Sequence, residues 1–129
     1  MDLYRDEILD HYKNPHNFGE LTGATAVHEE HNPLCGDRVT LQLRLSEPDV
    51  GDKTRRIVAA MFKGEGCAIS TASASIFTDY LKGKSLDELK KFSGAELLKI
   101  LQLEELSAAR LKCALLPLEA LRGALGIKN

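Results

Sequence analysis

Cysteine is scarce in this chain of 129 residues. There are three, at Cys35, Cys67 and Cys113, and no two form a Cys-x-x-Cys pair. An odd and widely spread set excludes a framework of paired disulfides, and in a cytosolic protein it reads as free thiols, a metal site or redox chemistry. Long apolar runs are also missing. None approaches the ~20 residues of a membrane span, and Met1-Asp2-Leu3-Tyr4-Arg5-Asp6 does not open a signal peptide, so a soluble, cytoplasmic protein is expected. Charge of one sign is lacking too: 17 Lys and Arg stand against 19 Asp and Glu, a net charge of -2. Bulk charge therefore selects neither nucleic acid nor disorder. Internal repeats, linkers and low-complexity segments are absent. These absences leave one α+β domain, residues 1–129, long enough to bury a core without a disulfide or metal staple.

The firmest pattern is Arg38-Val39-Thr40-Leu41-Gln42-Leu43-Arg44-Leu45, where polar and apolar residues alternate without a break and predict a strand with one face on the core. A turn at 46–52 leads to a second strand over Arg56 to Phe62, apolar on both faces, and the short connection predicts an antiparallel hairpin. A weaker alternation at Thr25, Val27 and Glu29 suggests a further strand over 23–31. Ahead of it, Asp2 can cap a helix whose Leu3, Ile8, Leu9 and Tyr12 share one side and which ends at Asn14-Pro15. Tyr4, Tyr12 and Phe18 are expected to pack on that helix.

Downstream, Cys67 to Lys82 predicts a helix rich in Ala and Ser, stopped by Gly83. Ser85 with Glu88, and Ser93 with Glu96, fit capping boxes for two short helices near 86–92 and 95–101. The apolar stripe of Leu115, Leu118, Leu121, Ala124 and Leu125 predicts a last helix. Because Pro117 is best tolerated in a first turn, its start is expected near Cys113.

Chemistry concentrates at Gly64-Glu65-Gly66-Cys67. The glycines allow a sharp turn, and Cys67 then opens a helix whose free N–H groups and dipole favour a thiolate. Cys35 and Cys67 bracket the hairpin, so antiparallel pairing brings them together. If Asp37 joins the three thiols, the set becomes tetrahedral and suits zinc or an iron–sulfur cluster, the carboxylate being the weaker and more exchangeable ligand. Three buried cysteines acting as small hydrophobes remain the alternative on spacing alone. None of His11, His16, His28 and His31 shows a metal spacing with a cysteine, and only His31 lies close to Cys35. Ser70, Ser73 and Ser75 lack a nucleophile elbow and read as packing residues.

The stretches Asn32-Pro33-Leu34-Cys35-Gly36-Asp37-Arg38, Gly64-Glu65-Gly66-Cys67-Ala68-Ile69-Ser70 and Arg110-Leu111-Lys112-Cys113-Ala114 resemble, in that order, the U-type iron–sulfur cluster assembly proteins: IscU, SufU and the N-terminal domain of NifU. The likeness runs from Tyr4 through His11-Tyr12-Lys13-Asn14-Pro15 to the last helix. It implies a small antiparallel sheet of about three strands packed against helices, with a metal site at one end. Its ligands would be Cys35, Asp37, Cys67 and Cys113, holding zinc or a 2Fe-2S cluster. It also implies sulfur received as a persulfide from a cysteine desulfurase of the IscS or SufS type. Cys113 accepts the sulfur in scaffold-type members and Cys35 in SufU-type members. A finished cluster passes to apo iron–sulfur proteins or carrier proteins.

Two departures pull in opposite directions. Lys112 stands where IscU-type members carry a histidine, as in SufU-type members, and Leu106-Ser107-Ala108-Ala109-Arg110 replaces their chaperone-recognition motif. Yet SufU-type members carry an insertion of about twenty residues for which the capped helices between Gly83 and Cys113 leave no room. Three functions follow: a cluster scaffold, a zinc-dependent sulfur acceptor partnering the desulfurase, and a structural zinc domain for protein contacts. The first two make the chain a scaffold or sulfur carrier rather than an independent enzyme, with a sulfurtransferase role if it is SufU-type. A cysteine hydrolase is disfavoured because no histidine is placed to act as base.

Overall fold

The computed structural model describes residues 6–33, 36–48, 55–103 and 106–127. Cys35 lies outside them, as do the expected Asp2 cap, Leu3 and Tyr4. In chain order the elements are α1 (Asp6–Lys13), β1 (Ala26–His31), β2 (Arg38–Leu45), β3 (Ile57–Glu65), α2 (Ala68–Leu81), α3 (Leu86–Lys90), α4 (Gly94–Leu101) and α5 (Ala108–Leu125). The strands form one antiparallel sheet in the order β1-β2-β3. An α+β fold with a three-stranded sheet is therefore what forms.

The alternation read in β2 decides which face the helices cover. Val39, Leu41 and Leu43 are buried at 3%, 0% and 0% exposure and form the core with Ile57, Ala60 and Phe62 of β3. Helices α2 and α5 pack on that face through Ile69, Phe77, Leu81, Leu118 and Leu121. On the opposite face, Gln42 is buried for a different reason. Its amide donates to the Gly19 carbonyl at 2.7 Å and its Oε1 accepts the Leu21 N–H at 2.8 Å, so a strap of chain crosses the sheet there. Strand β3 carries apolar residues on both faces, but the second is only partly buried, and a register shift between Arg44 and Leu45 leaves Val58 outside the pairing and exposed.

Polar contacts fix the segment after α1 against α2. Ser75 Oγ accepts the His16 N–H at 2.7 Å and bonds His11 Nδ1 at 2.7 Å, while Asp79 bonds His16 Nδ1 at 2.6 Å and accepts from Asn17 at 2.8 Å. His11 and His16 thus dock α1 and its loop. Tyr12 and Phe18 differ from expectation, being 44% and 50% exposed, and Phe18 meets Phe62 edge-on at 5.3 Å instead of packing on α1.

The short helices follow their caps. Ser85 and Glu88 complete a capping box, whereas Ser93 caps α4 by accepting the Glu96 N–H and the Glu96 side chain turns to the Ser93 hydroxyl. The last helix departs from the reading most. Ser107 caps it, accepting the Arg110 N–H, so it begins five residues earlier than expected and Pro117 falls inside it. Proline has no N–H for the Cys113 carbonyl four residues back. Burial of Leu116, Leu118 and Leu121 on the sheet outweighs that loss, and the Ser73 hydroxyl donates to the neighbouring Ala114 carbonyl at 2.6 Å.

Candidate metal centre

The β2–β3 register decides where the site forms. Arg38 pairs with Glu65, so Asp37 meets Gly66 and Cys67 where the two strands run out. At φ +147° Gly64 occupies backbone space open to glycine, and a Cβ there would overlap the Arg38 carbonyl. Its absence lets the strands close tightly beside the site.

Cys67 is the N-cap of α2 and partly exposed. Cys113 sits one and a half turns inside α5 and is buried at 5% exposure. It is therefore not at a helix N-terminus, contrary to expectation, because Ser107 starts the helix early. Helix α5, packed on β1 and β2, instead brings the Cys113 thiol to Asp37 and Cys67 from within its span.

Asp37, Cys67 and Cys113 each offer one donor atom, and the three atoms lie within 4.8 Å of one another. Asp37 is 6% exposed. Burial works to raise its pKa. The thiols of Cys113 and Cys67, the Cys67 backbone N–H and the Ser70 hydroxyl outweigh it, and the carboxyl is held below its ordinary value. It is a carboxylate at neutral pH, the form that binds a cation. Its Oδ2 is buried without a hydrogen-bond partner. An orphaned carboxylate oxygen costs about 1–3 kcal/mol unless something pairs with it, and a cation beside two sulfur donors is the partner this donor set suits. Two thiolates and a carboxylate fit zinc or iron with a position left for a further ligand.

Of the sequence candidates, the structure thus brings together Asp37, Cys67 and Cys113, while Cys35 lies outside the described residues. His31 is exposed and lines a neighbouring cleft of about 320 Å³ with Lys112, Leu115 and Glu119. The residue missed was Ser70. It reads as packing in the small-residue stretch, but its hydroxyl faces Cys67 and Asp37. Only its position one turn after Cys67 could have signalled this. Gly66 supports the same corner, since a Cβ there would overlap Ser70 Oγ and come within 3.3 Å of Asp37 Cγ.

Comparison with known proteins gives a consistent picture. The family described as NifU-like N terminal domain matches residues 3–127. The chain is 39% identical over 135 aligned residues to the zinc-dependent sulfurtransferase SufU of Bacillus subtilis, covering 92% of this chain and 86% of that protein. It is 34% identical to the iron–sulfur cluster assembly enzyme IscU of Drosophila melanogaster over 131 residues, 95% of this chain and 76% of that one. Among solved structures, a SufU from Fervidobacterium islandicum superposes with a TM-score of 0.77 at 29% identity, covering 95% of this chain and 96% of the other.

Proposed function

Since the chain belongs to the family of NifU-like N-terminal domains, we propose that it is an iron–sulfur cluster assembly scaffold, one that accepts persulfide sulfur from a cysteine desulfurase, builds a 2Fe-2S cluster and hands it to apo-proteins. The observation that carries this reading is the convergence of Asp37, Cys67 and Cys113 with a buried carboxylate oxygen left unpaired. The ligand set we propose is Cys35, Asp37, Cys67 and Cys113. IscU relatives named for cluster assembly support the scaffold reading.

Sulfur reaches the site by exchange. A cysteine thiolate attacks the outer sulfur of the donor persulfide, a new S–S bond forms on the scaffold, and the donor cysteine leaves as a thiolate. Cys113 and Cys35 are the proposed acceptors. Cys113 must first become more accessible than its 5% exposure allows. A carboxylate in the ligand set eases that exchange, because oxygen holds zinc or iron less tightly than a fourth thiolate does.

A second reading has its own support. The SufU relative is named a zinc-dependent sulfurtransferase, and Lys112 precedes the last cysteine here as in SufU-type members. In this reading zinc occupies the same ligands, and the protein is the sulfur acceptor of the desulfurase. Anaerobic incubation of metal-free protein with Fe(II), cysteine and a desulfurase separates the two. A bound 2Fe-2S cluster that transfers to an apo-ferredoxin establishes the scaffold. Absence of a cluster, with zinc-loaded protein accelerating the desulfurase and collecting a persulfide, establishes the sulfur acceptor instead.

A further inference from the structure

Ser70 lies one helical turn after Cys67 and is 1% exposed. The Cys67 thiol donates to Ser70 Oγ at 3.8 Å, and the Ser70 hydroxyl donates to the Cys67 carbonyl at 3.2 Å. The missing side chain at Gly66 leaves room for this hydroxyl and the Asp37 carboxylate together. No backbone N–H of the first turn of α2 caps the Cys67 side chain.

A hydroxyl has one proton and two lone pairs. In the absence of a cation the Cys67 thiol is shared between Ser70 Oγ and the Asp37 carboxylate, and the Ser70 hydroxyl proton between the Cys67 carbonyl and Asp37. A thiolate bound to a cation has no proton to give and becomes an acceptor. The buried hydroxyl can then rotate its proton onto the sulfur without any movement of the helix, making a charge-assisted bond. We propose that Ser70 is a positioning residue of the metal centre, its hydroxyl holding the Cys67 thiolate in the ligand set by donating a hydrogen bond to the sulfur. This rests on the reading of Asp37, Cys67 and Cys113 as metal ligands. Loss of such an outer partner lowers metal affinity about 10–100-fold.

The test compares wild type with Ser70→Ala, which removes one oxygen, and Thr78→Val, which removes a fully buried hydroxyl from a distant turn of the same helix. Zinc affinity is measured by competition with a chromophoric chelator. Cobalt(II) added to metal-free protein then reports the sulfur-to-metal charge-transfer band. We expect Ser70→Ala to bind zinc about 10-fold more weakly and to shift the cobalt band to lower energy, because a sulfur lone pair without its hydrogen bond is easier to oxidise. Thr78→Val should keep both at wild-type values. Wild-type affinity and band position in Ser70→Ala overturn the role of Ser70, as does an equal loss in Thr78→Val, which would mean general loosening of α2. If wild type itself binds neither zinc nor cobalt, the metal centre falls and Ser70 with it.

Discussion

Asp37 and the glycines around it set the most local predictions. Asp37→Asn keeps the shape of the side chain but removes the charge that a cation needs. Zinc affinity measured by chelator competition should fall at least about 10-fold, since a charged ligand becomes a neutral and weaker one. Gly64→Ala acts on folding. At φ +147° with the Arg38 carbonyl in the way, a methyl forces the β2–β3 pair apart. Urea unfolding of metal-free protein should show a loss of about 1–3 kcal/mol, and a wild-type midpoint would show that the strand end tolerates a side chain.

Between elements, the contact that sets the site is α5 on the sheet. Gly123 lies against the His28 ring of β1, and a Cβ there would overlap it. Gly123→Ala should lift the helix off β1 and cost about 1–3 kcal/mol of stability in chemical denaturation, as overpacking does. Because Cys113 rides on the same helix, zinc affinity should weaken alongside. A cap does not carry that second effect. Ser85→Ala removes the capping box of α3, far from the thiols, and should lower stability by about 1 kcal/mol while leaving zinc affinity alone. The two variants together separate helix placement from general stability.

Across the whole molecule, acid should loosen the docking of the N-terminal segment. Partial burial works to raise the Asp79 pKa, but hydrogen bonds from His16 and Asn17 and the charges of His16 and Lys82 outweigh it, holding the carboxyl below 3.8. A depressed carboxyl stabilises the fold in full above its unfolded value and loses that contribution as pH falls through the lower folded value. The gap in urea midpoint between wild type and Asp79→Asn should therefore be present at pH 6 and close at pH values well below 3.8. Its size is at most about 1 kcal/mol, because both side chains of the pair are half exposed. Zinc at a hundred times its Kd should add about 2.7 kcal/mol to the folded state, and a chelator should remove it in a thermal melt.

Much of this molecule could be read along the chain. The alternation of β2, the glycine turn into Cys67 and the capping serines are local signals, each set by side-chain periodicity or by backbone groups a few residues apart. They were enough for an antiparallel hairpin, a small-residue helix opening at a cysteine, and two short helices, while the pairing of the first strand followed only from the family resemblance. The start of α5 was not legible, because Pro117 argues locally for a first turn and only burial of the leucine stripe on the sheet outweighs its missing N–H. The same tertiary packing decided that Cys113 is a buried mid-helix thiol, that Asp37 keeps one buried oxygen unpaired near two thiols, and that the Ser70 hydroxyl faces Cys67 and Asp37. Those facts depend on residues from β2, α2 and α5 meeting in space, and no pattern within a single element encodes the meeting.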